Sequence, residues 1–473
     1  MLDIIIIGGG VVGTAIAREL SRYRLKIALL EKEIEVAFGV SKSNSGIIHP
    51  GTQNKSGSLK GKLCVEGNTL IRKIASELGI DFQEVGQLIV AFNDEEVIRL
   101  KEIKVEGEKL GIKNMSIVDS AWLQENEPNL SKEVISALFI PSAGIISPYR
   151  MAYDLSENAA KNGVQIYTDN KVEKINVLEK RFEVITNKNK YQSRYVVNCA
   201  GLFADEISKM VGINDFVISP RKGQEFLLDK KRENITNHLI FPLPSKTSKG
   251  TLVIKTSDGN PMIGPTAEEI EDKHDLATDD NGLNEVLNSV KRLVPSINER
   301  DIIAYFAGLR PTSGSDFIIR HEDKVPGFVN VAGIQSPGLT AAPAIAVMVS
   351  DILKNNGLNL NKKLFFRRFR KKTVHLFKTD NAQMRKIIKK DSGYGDIVCR
   401  CEMVSKREIE EAIERGAKTL DGVKFRTRAQ AGRCHGGFCT TRILKILSEK
   451  LNIPFVELTK RGGKSKIVVK ERT

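Results

Sequence analysis

An α/β fold of Rossmann type, interleaved with a mixed-sheet region and followed by a small helical C-terminal unit, is what this 473-residue sequence predicts. Three observations predict it. A glycine-rich turn joins an apolar strand run to a helix at the extreme N-terminus. The middle of the chain mixes helical and strand-like stretches. Four of the six cysteines crowd together after residue 398, in a segment with helices of its own.

Residues 3–7 (Asp-Ile-Ile-Ile-Ile) are β-branched without polar alternation, as a strand buried on both faces requires. Val11–Leu20 places small and apolar residues at helical spacing, and Lys26–Leu30 reads as a second strand ending on Glu31. The right-handed crossover makes those strands parallel. Further on, Met151–Asn162 and Ala341–Leu353 read as helices, and Phe182–Ile185 and Tyr195–Asn198 as strands. Residues 361–390 carry 12 basic side chains and one acidic, and Asp391–Asp396 is a turn-rich joint. These breaks divide the chain into a body over 1–355, a basic linker over 356–396, a compact unit over 397–451 and a basic tail over 452–473.

Composition narrows the function classes. With 41% hydrophobic and 28% charged residues the chain can bury a core, which excludes whole-chain disorder. No apolar run approaches the roughly 18 residues of a membrane span, and the opening run is too short for a signal peptide. Six cysteines are too sparse for a disulfide scaffold, so a cytoplasmic protein is expected. The net charge of +15 is local: residues 351–473 hold 31 Lys+Arg against 13 Asp+Glu, whereas the 350 before them hold 42 against 45. With Phe365, Phe366 and Phe369 among Arg367, Arg368 and Arg370, that segment has the composition of a docking surface for a membrane face or a nucleic acid. Neither partner explains the motifs, so no nucleic acid is expected. Peripheral membrane contact stays open, and the segment is expected to wrap the body and help dock an electron-accepting subunit.

Gly8-Gly9-Gly10-Val11-Val12-Gly13 matches G-x-G-x-x-G in its required setting of strand, turn, helix, strand and acid. Gly8 permits the turn, Gly10 admits a pyrophosphate and Gly13 lets helix and strand close. The anion sits on the helix N-terminus, and Glu31, 21 residues after Gly10, is placed to accept from ribose hydroxyls. Only one such fingerprint occurs, so a single dinucleotide is expected.

Further segments resemble the FAD-dependent D-amino-acid-oxidase-like (DAO) superfamily, in its glycerol-3-phosphate dehydrogenase and L-2-hydroxyglutarate dehydrogenase branch. They are Asn44-Ser-Gly-Ile-Ile-His49, Leu59–Asn68, Ile146–Tyr149, Asn198–Leu202, Asp258–Thr266, Gly308-Leu-Arg-Pro311 and Gly333–Ala342. The resemblance spans about residues 1–355 and implies FAD. It implies cofactor contacts from Gly8, Gly10, Gly13, Glu31, Lys32, Ser45, Gly46, Ala200, Gly201, Gly333, Ser336, Gly338, Leu339 and Thr340. The helix that Ser336-Pro-Gly338 opens can present N–H groups to an electron-rich isoalloxazine edge. Cys64 and Cys199 are expected as small buried hydrophobes.

Cys399-x-Cys401 and, 32 residues later, Cys434-x4-Cys439 supply four thiolates for either zinc or an iron–sulfur cluster, the tight Cys-x-Cys bite favouring 2Fe–2S. Ser405-Lys-Arg-Glu408 is a capping box opening a helix over Arg407–Arg415. Gly432, Gly436 and Gly437 allow the backbone to bend toward the sulfurs, and Arg400, Lys424, Arg426, Arg428 and Arg433 can offset cluster charge. The segment resembles the bacterioferritin-associated ferredoxin-like (BFD-like) 2Fe–2S domain through Cys399–Glu402, Thr419–Lys424 and Gly432–Cys439. Its Cys-x4-Cys spacing is that of BFD-like domains fused to anaerobic glycerol-3-phosphate dehydrogenase-like subunits. His435 is expected at the surface.

Oxidising a carbinol needs a hydride acceptor and a group that takes the hydroxyl proton. His49 is the candidate base, since a neutral imidazole titrates near the operating pH. Arg310 is the candidate clamp for an anionic substrate, since the superfamily uses an arginine there and a guanidinium is bidentate. Lys255 and Thr256 are expected in the same pocket, and His238, His274, His321 and His375 as surface or structural. The resemblance implies a small anionic substrate, glycerol 3-phosphate first, a 2-hydroxy acid such as L-2-hydroxyglutarate second and an amine or opine third. Electrons are expected to pass from FAD through the cluster to a protein acceptor, with this chain the flavoprotein subunit of a hetero-oligomer.

Overall fold

The protein is described by a computed structural model covering residues 1–244 and 250–470; the last three residues of the expected basic tail lie outside the described residues. Two compact units divide the chain, Met1–Lys32 with Ala37–Arg370, and Glu33–Val36 with the chain from Lys371 onward.

In the first unit Leu2–Ile7 lies at the centre of a sheet, parallel to Ile27–Leu30 on one side and to Lys190–Asn198 on the other. Ile4–Ile7 are almost completely buried, which explains a strand with no polar alternation. Gln165–Tyr167 and Phe328–Ala332 extend the parallel core, and Val172–Leu178 and Arg181–Thr186 add an antiparallel hairpin to Lys190–Asn198. The expected helices form as Val11–Leu20, Pro148–Lys161 and Gly338–Asn355. Leu59–Leu78 packs on Gly338–Asn355 at Gly67, where any Cβ would strike the Thr340 carbonyl.

A second, mostly antiparallel sheet has the order 268–269, 219–228, 262–264, 252–254, 239–241, 87–91, 136–140, 116–119. Its longest pairing sets Ser219–Leu228 against Ile302–Thr312, with Arg221 opposite Arg310 and Gly223 opposite Gly308. One face buries Leu88, Phe226, Leu228 and Ile263 under the helix Asp280–Leu293.

Residues 361–370, expected in the basic linker, pack as a strap on the first unit. Lys363 N donates to the Arg22 carbonyl, and Asn158 and Asn162 both bond the Arg367 carbonyl. Phe366 lies 4.8 Å from the Arg22 guanidinium. Arg370, which the sequence groups with the docking cations, is instead buried and ion-paired to Asp154 at 2.9 Å and Glu157 at 2.8 Å. The strap shows solvent Leu364, Phe365 and Phe369.

The second unit packs helices Asn381–Lys390, Lys406–Glu414, Leu420–Thr427 and Thr440–Leu451 beside a short ribbon of Ile397–Cys399 and Val404–Ser405. Ile409, Leu420, Val423, Ile443 and Leu447 form its core. The Ser405–Glu408 capping box is present on both sides. Among the described residues no helix is long and apolar enough to cross a membrane.

Candidate functional site

The N-terminal turn is shaped by contacts that only glycine allows. Gly8 has φ +106°, and a Cβ there would strike the Cys199 carbonyl; one at Gly13 would strike the Gly8 carbonyl. Gly10 differs. A Cβ there would meet only the Ser41 hydroxyl, at 3.3 Å, so the space above it can take a phosphate. That hydroxyl accepts from Val11 N, at the first turn of the helix, at 2.9 Å. Glu31 Oε2, at the end of the second strand, accepts from Gly9 N at 2.6 Å and ties the turn to the acid. The Lys32 ammonium lies 3.9 Å from the Phe203 ring centre. Ala200 and Gly201 turn the chain after Lys190–Asn198, and a Cβ at Gly201 would meet nothing within 4 Å. Open space over Gly10, a buried acid at the strand end and a helix N-terminus together fit a dinucleotide.

Two distant segments meet beyond this turn. His49 N donates to Thr340 Oγ1 at 2.9 Å, and its Nε2 lies 3.3 Å from Ser336 Oγ. Phe241 presents its edge to the imidazole, and Asn68 Nδ2 holds the His49 carbonyl at 3.0 Å. Ser336, Gly338, Leu339 and Thr340 open the helix Gly338–Asn355, preceded by Gly333 at φ +66°. Gly46, at φ +79°, is closed in by the Ile146 carbonyl, and its N–H donates to Asn44 Oδ1 at 2.8 Å.

Arg310 is half-buried, and one terminal nitrogen donates to the carbonyls of Thr266 at 2.6 Å and Lys222 at 3.4 Å. On the same sheet face the structure adds a group that sequence reasoning missed. Glu225 is buried, bonded by the Ser45 hydroxyl, and pushed up to about 8 by burial against the opposing pull of Arg310. Lys255 is half-buried after the strand Leu252–Ile254, while Thr256 spends its hydroxyl on the Asn260 carbonyl at 2.6 Å, within its own turn. Cys64 and Cys199 are buried, and burial pushes the Cys199 thiol up. Of the remaining histidines, His238 pairs with Glu127 at 2.8 Å and His375 with Glu408 at 3.4 Å.

In the second unit the four cysteines stand as two pairs. Cys401 Sγ is 3.4 Å from Cys434 Sγ, and Cys439 hydrogen-bonds to Cys399, which that bond pulls down to about 6. Backbone N–H groups of Gln430 and Glu402 point to Cys399, and those of Gly436 and Phe438 to Cys434. Gly432 has no room for a Cβ against Cys401, and Gln430 and His435 adopt positive φ to close the loop. Among the described residues no three His, Cys, Asp or Glu side chains are gathered around a single-ion position. Two thiol pairs ringed by N–H donors suit two irons, each taking two thiolates, better than one tetrahedral ion. Among the five cations expected to offset cluster charge, Arg428 pairs with Glu402 at 3.3 Å and Arg426 with Glu35. His435 is exposed.

Comparison with known proteins follows this geometry. Residues 3–352 match the family model described as DAO, FAD dependent oxidoreductase, and residues 397–449 match that of the BFD-like [2Fe-2S] binding domain. The chain is 43% identical to a glycerol 3-phosphate dehydrogenase of Caloramator mitchellensis over 97% of its length and 96% of the relative's. It is 28% identical to the L-2-hydroxyglutarate dehydrogenase of Escherichia coli over 74% of its length and 93% of the relative's. Among solved structures, a dithionite-reduced L-α-glycerophosphate oxidase from Mycoplasma pneumoniae with FAD bound superposes with a TM-score of 0.74. That match is at 32% identity and covers 78% of this chain and 98% of the other.

Proposed function

The chain belongs to the DAO family of FAD-dependent oxidoreductases and carries a BFD-like 2Fe–2S domain; from that premise we propose that it oxidises glycerol 3-phosphate to dihydroxyacetone phosphate and passes the electrons through the cluster to a protein acceptor. The full-length likeness to a glycerol 3-phosphate dehydrogenase is the observation that carries this reading.

FAD, when bound, supplies a two-electron acceptor for the carbinol hydrogen. The chain's own residues do the rest. In this reading Arg310 holds the phosphate, because its guanidinium is already fixed by the Thr266 carbonyl and needs no reorganisation to meet an anion. Lys255 is the second cation that a dianion calls for. His49 takes the hydroxyl proton; the Asn68 contact at its carbonyl and the Thr340 contact at its N–H fix its backbone, and Ser336 orients its ring. Gly10 and the N-terminus of Val11–Leu20 receive the cofactor's pyrophosphate, Glu31 its ribose, and Ser45, Gly46, Ala200, Gly201 and Gly333 border it. Thr256 shapes the turn that carries Lys255.

The test is anaerobic mixing of the purified flavoprotein with glycerol 3-phosphate, L-2-hydroxyglutarate, lactate and proline. Glycerol 3-phosphate is expected to bleach the flavin at least tenfold faster than the others. Faster bleaching by L-2-hydroxyglutarate would move the protein to the neighbouring 2-hydroxy-acid branch.

A further inference from the structure

Successive side chains of a strand point to opposite faces, so Arg221, Gly223 and Glu225 share one face with Arg310, Gly308 and Phe306 of the paired strand. The glycines let other groups lie close on that face: a Cβ at Gly223 would strike the Arg310 guanidinium, so that side chain passes over Gly223 toward Glu225, and one at Gly308 would stand 2.9 Å from Ser43. Glu225 is 4% exposed, its carboxyl takes the Ser45 hydroxyl, and its Oε2 has no hydrogen-bond partner among the described residues. The charge that favours its ionisation is Arg310. Other charged groups on the packed elements are placed differently. Arg221 pairs with Glu269, the Lys42 ammonium lies over Phe38, and Asp279 bonds Gln224 on the opposite face.

Arg310 therefore has two claimants, the carboxylate on the same sheet face and any anion that binds the guanidinium. We propose that Glu225, when ionised, is the internal counter-ion of Arg310, that an anion binding to Arg310 displaces it from that role, and that an ionised Glu225 takes one proton from solvent as the anion binds and returns it when the anion leaves. The proposal rests on Arg310 being the site of the substrate's anionic end. Because burial holds Glu225 up to about 8, the pocket accepts anions readily near neutral pH and resists them above it.

Sulfate is the probe, since it stays a dianion throughout this range, and the change it causes in the flavin spectrum reports its binding. From about pH 7 to about pH 9 the protonated, anion-accepting fraction falls roughly tenfold, so the apparent Kd of the wild type should weaken about tenfold. Glu225→Gln keeps the shape without the charge; its Kd should change less than about twofold and be the tighter of the two at the higher pH. Calorimetry at about pH 9, in two buffers of different ionisation heat, should show uptake of close to one proton by the wild type and none by E225Q. Equal pH dependence in both proteins, or no proton uptake by the wild type, overturns the proposal. Should E225Q lose its flavin, the wild-type calorimetry decides alone. Sulfate binding that survives Arg310→Ala unchanged would show that Arg310 itself is misassigned, and the proposal falls with it.

Discussion

Arg310, the proposed anion clamp, is already ordered: one terminal nitrogen is spent on the Thr266 and Lys222 carbonyls, which fixes its charge in place. Removing a charge-assisted contact of this kind costs on the order of 2–4 kcal/mol, or about 30- to 1000-fold in kcat/KM. Arg310→Ala should lose that much with flavin content unchanged. Arg310→Lys should recover only part, since an ammonium cannot match the planar fork. Steady-state kinetics on glycerol 3-phosphate check both variants, and wild-type kcat/KM in R310A would place the anion elsewhere. Residues such as this one could be singled out as candidates because they sit in short local motifs. Gly8, Gly10, Gly13 and Glu31 share one β-α-β unit, and Arg310 stands in Gly-Leu-Arg-Pro. Glu225 was not legible. A single glutamate in a strand that also carries Arg221, Lys222 and Gln224 makes no pattern until the strand opposite is known, and the Arg221–Arg310 register that sets its face spans about ninety residues of chain.

The elements that formed as expected are those whose signal is local. The first strand is a run of isoleucines, the first helix follows the glycine turn, and Ser405 caps its helix with Glu408. The strap over residues 361–370 was legible as basic and aromatic but not as to which cations face inward, because that depends on Asp154 and Glu157, about two hundred residues earlier. A buried ion pair broken on one side typically costs 3–5 kcal/mol. Arg370→Ala should therefore lower the unfolding midpoint by several degrees, whereas Arg367→Ala, whose carbonyl rather than side chain is held, should leave it within about a degree. Equal midpoints would mean that the Arg370 ion pairs contribute nothing to the first unit's stability. In the cysteine loop, Cys401→Ser removes one thiol of the more exposed pair. Anaerobically prepared wild type should carry about two irons and two acid-labile sulfides per chain. C401S should lose them while substrate still reduces its flavin, as iron analysis and anaerobic absorbance will show. Stoichiometric zinc in the wild type would instead make the four thiols a zinc site.

At the scale of the whole molecule, one chain carries an FAD-dependent oxidoreductase body and a BFD-like 2Fe–2S domain. The first unit holds the dinucleotide turn and the His49–Arg310 constellation, the second the paired cysteines, and the excess positive charge lies in the last 123 residues. The basic composition and the four-cysteine motif share the last 123 residues, whereas the dinucleotide motif stands at the other end of the chain. The exposed Leu364, Phe365 and Phe369 of the strap are the apolar groups that such a partner could cover. The most direct measurement is an anaerobic titration of the purified protein with glycerol 3-phosphate, followed by flavin absorbance and electron paramagnetic resonance together. Bleaching of the flavin accompanied by the signal of a reduced 2Fe–2S cluster, at substoichiometric substrate and without added mediator, is the predicted result. Flavin bleaching with the cluster left oxidised at every point of the titration would contradict it.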